Sequence, residues 1–388
     1  MSEQLRLTGM TWNHSRAYPP LVAAAQRFEE ENPGVAIDWE RRSLDDFGHA
    51  PLAPMARAYD LLVIDHPMLG DASGQGILLP LDDLLPQPLL ADLETNSVGP
   101  SFGSYRYDGR LWALPLDAAA PVASYRPDLL DRAGLCVPRN WDEVLSVAQE
   151  GLAVMPAFPA DLYLNFLGLY HSLGGMPQAG PEAVLDRGTG VESLLRLHAL
   201  AALMPERIYA LNPILVYESL ARTDEFAYCP FAYSYSNYAR PGFAAHPVLF
   251  TDLADIRPRT PMNSALGGTG LALSAQCRHR EAALRFAAYV TGETCQRTLY
   301  VQTGGQPAHR QAWLDGAANA LTHNFFSQTL TAMKRSFVRP RHPGYVAFQQ
   351  RAGHPIVEFL RAGGNPEAAV DELNRLYLDC GRSTAAPR

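Results

Sequence analysis

The chain contains one lysine, Lys334; every other basic residue apart from its histidines is an arginine. An amine nucleophile or a Schiff-base centre is therefore excluded at every other position. Cysteine is also scarce. Cys136, Cys229, Cys277, Cys295 and Cys380 are odd in number and widely spaced, with no CxxC pair and no Cys/His cluster. That pattern excludes a zinc site and a disulfide framework and predicts single buried thiols. A Cys277–Cys295 bridge is the one pairing left open. No run approaches the roughly 18 apolar residues of a membrane span. The opening MSEQLRLTGMTWNH lacks a basic segment followed by an apolar one, so no secretory leader is expected within it. HExxH and the phosphate-binding P-loop are missing, and the 11 histidines fall at no metal-ligand spacing. No metal and no cofactor are expected. The formal net charge is −8 with dispersed arginines, which argues against nucleic acid or an anionic membrane surface as partner.

What is present reads as a globular α/β chain. At 388 residues it exceeds what one core usually supports, so two domains are expected. LRLTGM (5–10) reads as a strand leading into a polar loop, Thr11–Arg16. Pro19 and Pro20 suit a helix start, and Leu21, Ala25 and Phe28 mark its buried face. Asn32-Pro33-Gly34 stops it. VAIDW (35–39) alternates as a second strand, and DLLVID (60–65) suits a strand buried on both faces. Strand, helix, strand in this order predicts a parallel sheet. Further on, Asn140 caps a helix over 141–150 with Glu143 three positions later. Residues 162–175 are strongly apolar and helical, and 188–222 are mostly helical. The aromatic stretch 226–238 predicts a strand ending in a long loop, and 248–253 another strand. ALGGTGLALS (265–274) is a glycine-rich strand before a helix over 279–291. Asn365 and Pro366 open a last amphipathic helix.

Four of these segments carry a resemblance. YDLLVIDHPMLGDASGQGILLPLDDLL (59–85), YRYDGRLWALPLDAAAPVASYRPDLLDRAGL (105–135), PRNWDEVLSVAQ (138–149) and ALGGTGLALSAQCRHREAALRFAAYVTGETCQ (265–296) resemble, in order and spacing, the extracellular solute-binding proteins of ABC importers, of the sugar-binding, maltose-binding-protein-like type. Two departures stand out: Tyr125-Arg126 replaces the usual Tyr-Asn, and Asn140 replaces a threonine cap. The resemblance implies an α/β, two-lobe periplasmic-binding-protein-like fold (type II) with a ligand cleft between the lobes. It places residues 1–112 and 260–312 in lobe one, and 113–259 and 313–388 in lobe two. Hinges are expected near Leu114–Asp117 and Ile256–Pro261.

In an open α/β lobe, ligands sit at the carboxyl ends of strands. Five groups of candidates follow. Trp12, Asn13, His14 and Arg16 offer a ring, an amide, an imidazole and a guanidinium within one short loop. Asp65 and His66 follow the third strand, where a carboxylate can accept two hydroxyls or simply cap a turn. Asp117 either binds ligand or ties the hinge. Tyr233, Tyr235 and Asn237 lie in the aromatic loop, where flat rings stack on sugar faces or pack in a core. Gly268 and Thr269 allow close backbone approach to a ligand, or form a bulge.

These residues imply a binding protein with no catalytic residue, taking a sugar or small organic acid. The arginines near the expected site (Arg16, Arg41, Arg42), with His14 and His66, lean toward an anionic group. The implied partners are the small solute and an importer permease, with the chain acting as a monomer in the periplasm. With no leader in view, a cytoplasmic sensor or storage protein of the same fold is the alternative. An enzyme reading rests on Gly99-Pro100-Ser101-Phe102-Gly103, a GxSxG match. That motif needs a strand before the serine and a helix after it, and the flanking sequence predicts neither.

Overall fold

The computed structural model describes residues 4–176, 178 and 180–385. The first strands are β1 (Leu5–Trp12), β2 (Val35–Arg42), β3 (Leu61–Ile64), β4 (Arg106–Tyr107), β5 (Arg110–Leu111) and β6 (Leu114–Ala119). After them come β7 (Pro121–Tyr125), β8 (Tyr228–Tyr233), β9 (Leu249–Thr251), β10 (Asp255–Arg257), β11 (Thr260–Pro261) and β12 (Gly267–Leu273). The chain divides into two compact units, residues 1–119 with 267–327, and residues 120–266 with 328–388. Each border falls C-terminal to the corresponding one expected from the sequence.

In the first unit five strands form one sheet in the order β2-β1-β3-β12-β6. β1 pairs in parallel with β2 and β3, as the strand–helix–strand order requires. The all-parallel expectation holds only for these three. β12 returns from the far part of the chain and inserts antiparallel between β3 and β6. β3 is the centre of the sheet, and all four of its residues are buried. The helix Tyr18–Glu31 carries prolines in its first turn and buries Leu21, Ala24, Ala25 and Phe28. Asn32 ends it by donating from Nδ2 to the Phe28 carbonyl at 2.7 Å. Phe28 meets Phe286 of the helix Arg280–Thr291 edge-to-face, with ring centroids 5.4 Å apart. Each such buried side chain contributes roughly 1.5–3 kcal/mol. The Asp108-Gly109 pair turns β4 into β5 with positive φ at both residues, as a tight hairpin demands.

The second unit holds an antiparallel sheet, β8-β7-β9, beside a large helical part. Asn140 caps the helix Trp141–Gln149 by accepting from the Glu143 N–H, while the Glu143 carboxylate accepts from the Arg139 N–H. The Tyr125-Arg126 departure has a structural cause. Arg126 is buried, with its guanidinium bonded to Asp128, Asp224 and the carbonyls of Leu220 and Thr223. It thus ties the end of β7 to the loop before β8. The helix Pro159–Ser172 packs on the helix Tyr345–Ala362, where a Cβ on Gly353 would lie 1.7 Å from the Pro159 carbonyl oxygen. Gly353→Ala is therefore expected to lower stability by about 1–3 kcal/mol by overpacking. Chemical denaturation of the two proteins checks this, and an unchanged midpoint would contradict that packing.

All five cysteines are free thiols, Cys277 and Cys295 included, and all but Cys136 are buried. Burial pushes both Cys277 and Cys295 up to about 11 and Cys229 up to about 12, so none of the three is a thiolate near neutral pH. Among the described residues no helix is long and apolar enough to cross a membrane, and no cluster of His, Cys, Asp and Glu could hold a metal ion.

Candidate functional site

The strand register gathers the candidates of the first unit at one edge of its sheet. Trp12 pairs with Arg42 at the ends of β1 and β2. Gly270 of β12 pairs with Ile64, the last residue of β3, and Thr269 with Asp117 near the end of β6. Four strands finish at this edge and β12 begins there. Trp12, Asn13, His14, Arg16, Asp65, His66, Asp117, Gly268 and Thr269 all lie along it or in the loops leaving it.

Trp12 sits inside β1 rather than in the loop after it, because its ring has an apolar partner. It packs against Phe47 at 5.0 Å between centroids and is 3% exposed. The Arg42 guanidinium covers the Phe47 face at 5.4 Å and donates to the Asp46 carbonyl. Burial lowers Arg42 to about 10, which leaves it cationic at neutral pH. Asn13 is exposed. His14 accepts the Arg16 backbone N–H at Nδ1, 3.0 Å away, which tightens the turn.

Arg16 and Asp117 meet each other. The Arg16 Nε donates to Asp117 Oδ2 at 2.8 Å, and Nη2 donates to Oδ1. The pair is bidentate and both side chains are almost fully buried. Burial pushes the Asp117 carboxyl up, against the opposing pull of Arg16 and of the Gln306 backbone N–H. Of the two readings of Asp117, the structure gives it a tie to Arg16. The Gln306 side chain donates to the Ala118 carbonyl at 2.8 Å, and Gln296 donates to the Leu116 carbonyl while accepting the Ala308 N–H. Two buried glutamines thus fix β6 beneath the pair.

Asp65 caps the single turn His66–Met68 by accepting the His66 N–H at 2.9 Å. His66 is fully buried, edge-on to Tyr105 with centroids 6.3 Å apart. Gly268 has φ +89°, and a Cβ there would lie 2.2 Å from the Asp117 carbonyl oxygen. The strand shifts register just beyond it, between Thr269 and Gly270. The close approach that Gly268 makes is thus to β6, and it serves a bulge.

Four buried polar atoms of this edge have no hydrogen-bond partner within the protein: Thr11 Oγ1, Trp12 Nε1, Arg42 Nε and Thr269 Oγ1. Sequence reasoning missed Thr11. The available signal was its position, one residue from the carboxyl end of a strand whose neighbours are apolar. Leaving such groups unpaired costs about 1–3 kcal/mol each unless water or a ligand satisfies them.

In the second unit Tyr233 ends β8 opposite Pro121, half-buried. Tyr235 is buried, its ring 6.0 Å from that of Tyr217, in a cluster with Tyr238 and Phe250. Asn237 is buried in the single turn Ser236–Ala239 that follows. These three share one loop. Two other features stand apart from both groups. A solvent-open groove of about 410 Å³ lies at the amino end of β1 and β3, lined by Arg6, Arg57, Asp60, Arg278 and His279 among others. Ser101, buried, donates its hydroxyl to the Val98 carbonyl at 2.7 Å, and Gly99 and Pro100 precede it in a turn rather than a strand.

Comparison with known proteins agrees with this architecture. An arabinooligosaccharide-binding protein of Halalkalibacterium halodurans is 24% identical over 266 residues, 62% of this chain and 56% of that protein. A curated relative from Brucella abortus (strain 2308) is 28% identical over 144 residues, 36% of this chain. The chain thus spans only about a third of the length of that relative, 34%. Among solved structures, the ABC transporter solute-binding protein of Agrobacterium radiobacter K84 in complex with ribitol superposes with a TM-score of 0.81 at 20% identity, covering 97% of this chain and 99% of that one. Maltose-bound MalE3 of T. maritima also gives 0.81, at 18% identity, covering 96% and 99%. Both share the two-lobe α/β fold. The family profile "Bacterial extracellular solute-binding protein" matches residues 11–296, and the chain belongs to that family.

Proposed function

We propose that this protein captures a small polar solute, a sugar, polyol or small organic acid, for an ABC importer, and performs no chemistry on it. The observation that carries this reading is that four buried polar atoms along the carboxyl edge of the first unit's sheet have no partner within the protein. Two hydroxyls, an indole N–H and a guanidinium N–H form a set that hydroxyl groups of a solute would complete. Trp12, its ring packed against Phe47, contributes its indole N–H to that set. Relatives that bind ribitol, maltose and arabinooligosaccharides support a polyhydroxy solute.

The capture mechanism follows from the chain path. The backbone crosses between the two units three times, after Ala119, Leu266 and Ser327. Solute is proposed to favour a closed arrangement of the chain over an open one. The working location is the periplasm, the partner an importer permease, and the active form a monomer.

A thermal-shift panel of neutral sugars, polyols and organic acids tests the reading, because a solute that binds only the folded protein raises its melting temperature. At least one member is expected to shift it in a saturable way. No shift across the panel at millimolar concentrations would contradict the proposal. Ser101→Ala is expected to leave that shift unchanged. Loss of a measurable hydrolytic turnover in this variant would instead establish a serine hydrolase.

A further inference from the structure

We infer that the site at this edge takes a polyhydroxy acid, with the solute's carboxylate held by the Arg42 guanidinium and the Trp12 indole N–H. The inference rests on the solute-binding reading above and names the solute class. Arg42 ends β2 in register with Trp12 at the end of β1, so the two side chains leave the same face of the sheet. Phe47 touches both: its ring centroid is 5.0 Å from that of Trp12, and the Arg42 guanidinium lies 5.4 Å from it. That contact and two bonds from Nη1, to the Asp46 carbonyl and the Met55 sulfur, fix the guanidinium plane. Its other edge is not used. Nε is buried without a partner, and Nη2 donates to none of the described residues. Nε–H and Nη2–H run parallel and form the fork that a carboxylate fits with both oxygens.

The chemistry of these donors separates an acid from an alcohol. Indole and guanidinium N–H groups donate and cannot accept, and an ionised carboxylate accepts and cannot donate. A hydroxyl set against them would find no acceptor there for its own proton. The charge points the same way. Arg16 is neutralised by its bidentate bond to Asp117, and Arg41 is exposed over the Tyr18 ring. Arg42 is hydrogen-bonded to no carboxylate among the described residues, and the Asp46 carboxylate accepts instead from the Ser43 hydroxyl at 2.7 Å. Burial lowers Arg42 to about 10, against the pull of the Asp46 charge, so it meets a solute as a cation. Asp65 follows β3, two strands from β2 in the sheet order, about 10 Å away by strand spacing. A solute carboxylate would thus supply both the missing acceptor and the missing counter-charge. Thr11 Oγ1 and Thr269 Oγ1, the other unpartnered atoms of the edge, both donate and accept, which suits the hydroxyls of the same solute.

Titration calorimetry of the full chain with matched probes tests this: ribitol beside D-ribonate, D-mannitol beside D-mannonate and maltose beside maltobionate, with D-glucose 6-phosphate as a phosphate probe. Wild type is expected to bind at least one acid about 10-fold or more tighter than its neutral partner, the scale of one charge-assisted hydrogen bond. Arg42→Met keeps an apolar stem on Phe47 and removes the fork, so the acid-to-neutral affinity ratio should fall by about 10-fold or more. Arg42→Lys keeps the charge, guards against misfolding of the strand end and loses only the fork, so it should lower the ratio by about 3-fold or more. No acid reaching that margin in wild type, tighter binding of the phosphate probe than of every acid, or an unchanged ratio in either folded variant overturns the inference while leaving the solute-binding reading intact. Wild type that binds no probe at all overturns the reading itself and the inference with it.

Discussion

Replacing Asp117 with alanine is expected to lower the unfolding free energy by about 3–5 kcal/mol, because it strands a buried guanidinium without its counter-charge. The Arg16 and Asp117 side chains are 4% and 0% exposed, and their bond is bidentate. Removing one partner leaves the other with its desolvation cost and no return. Replacing both with apolar residues of similar volume removes that cost too, so Arg16→Met with Asp117→Leu should be nearly as stable as wild type. Denaturant unfolding of the single and double variants separates these outcomes. If the single variant lost under 1 kcal/mol, the pair would not be the buried tie that its geometry describes.

Trp12→Ala is expected to weaken solute binding by about 2–3 kcal/mol, on the order of 30- to 150-fold in Kd, through a lost indole N–H bond and the lost packing on Phe47 that holds the end of β1. Trp12→Phe separates the two parts. It keeps a ring against Phe47, 5.0 Å away in the wild type, and gives up only Nε1. Its binding loss should be about 1–1.5 kcal/mol with little change in stability. Titration calorimetry with the solute identified by thermal shift reads both. Wild-type affinity in Trp12→Phe would show that Nε1 does not reach the solute.

Much of the fold was legible because it is written in local pattern. The apolar run 60–65, the alternation of 35–39 and the cap at Asn140 each report on neighbouring residues, and each element formed where its pattern predicts. The mixed sheet was not legible: that β12 runs antiparallel beside β3 depends on pairing residues about 200 positions apart. The site was legible as a set of loops but not as a set of bonds. Arg16 and Asp117 were both candidates for solute, yet they are 101 residues apart in the chain and bind each other. Nothing in the sequence couples them. Gly268 was open between ligand approach and bulge, and only the position of the Asp117 carbonyl decides it. Trp12 was assigned to a polar loop because Phe47, the residue that draws its ring inward, belongs to a different element.

A solute that binds a closed arrangement of the chain more tightly than an open one shifts the population toward closure. Small-angle X-ray scattering of the full chain, with and without saturating solute, tests this most directly. The radius of gyration should fall on binding, and the fall should follow the same saturation curve as the thermal shift. An unchanged radius at saturating solute would contradict capture by closure.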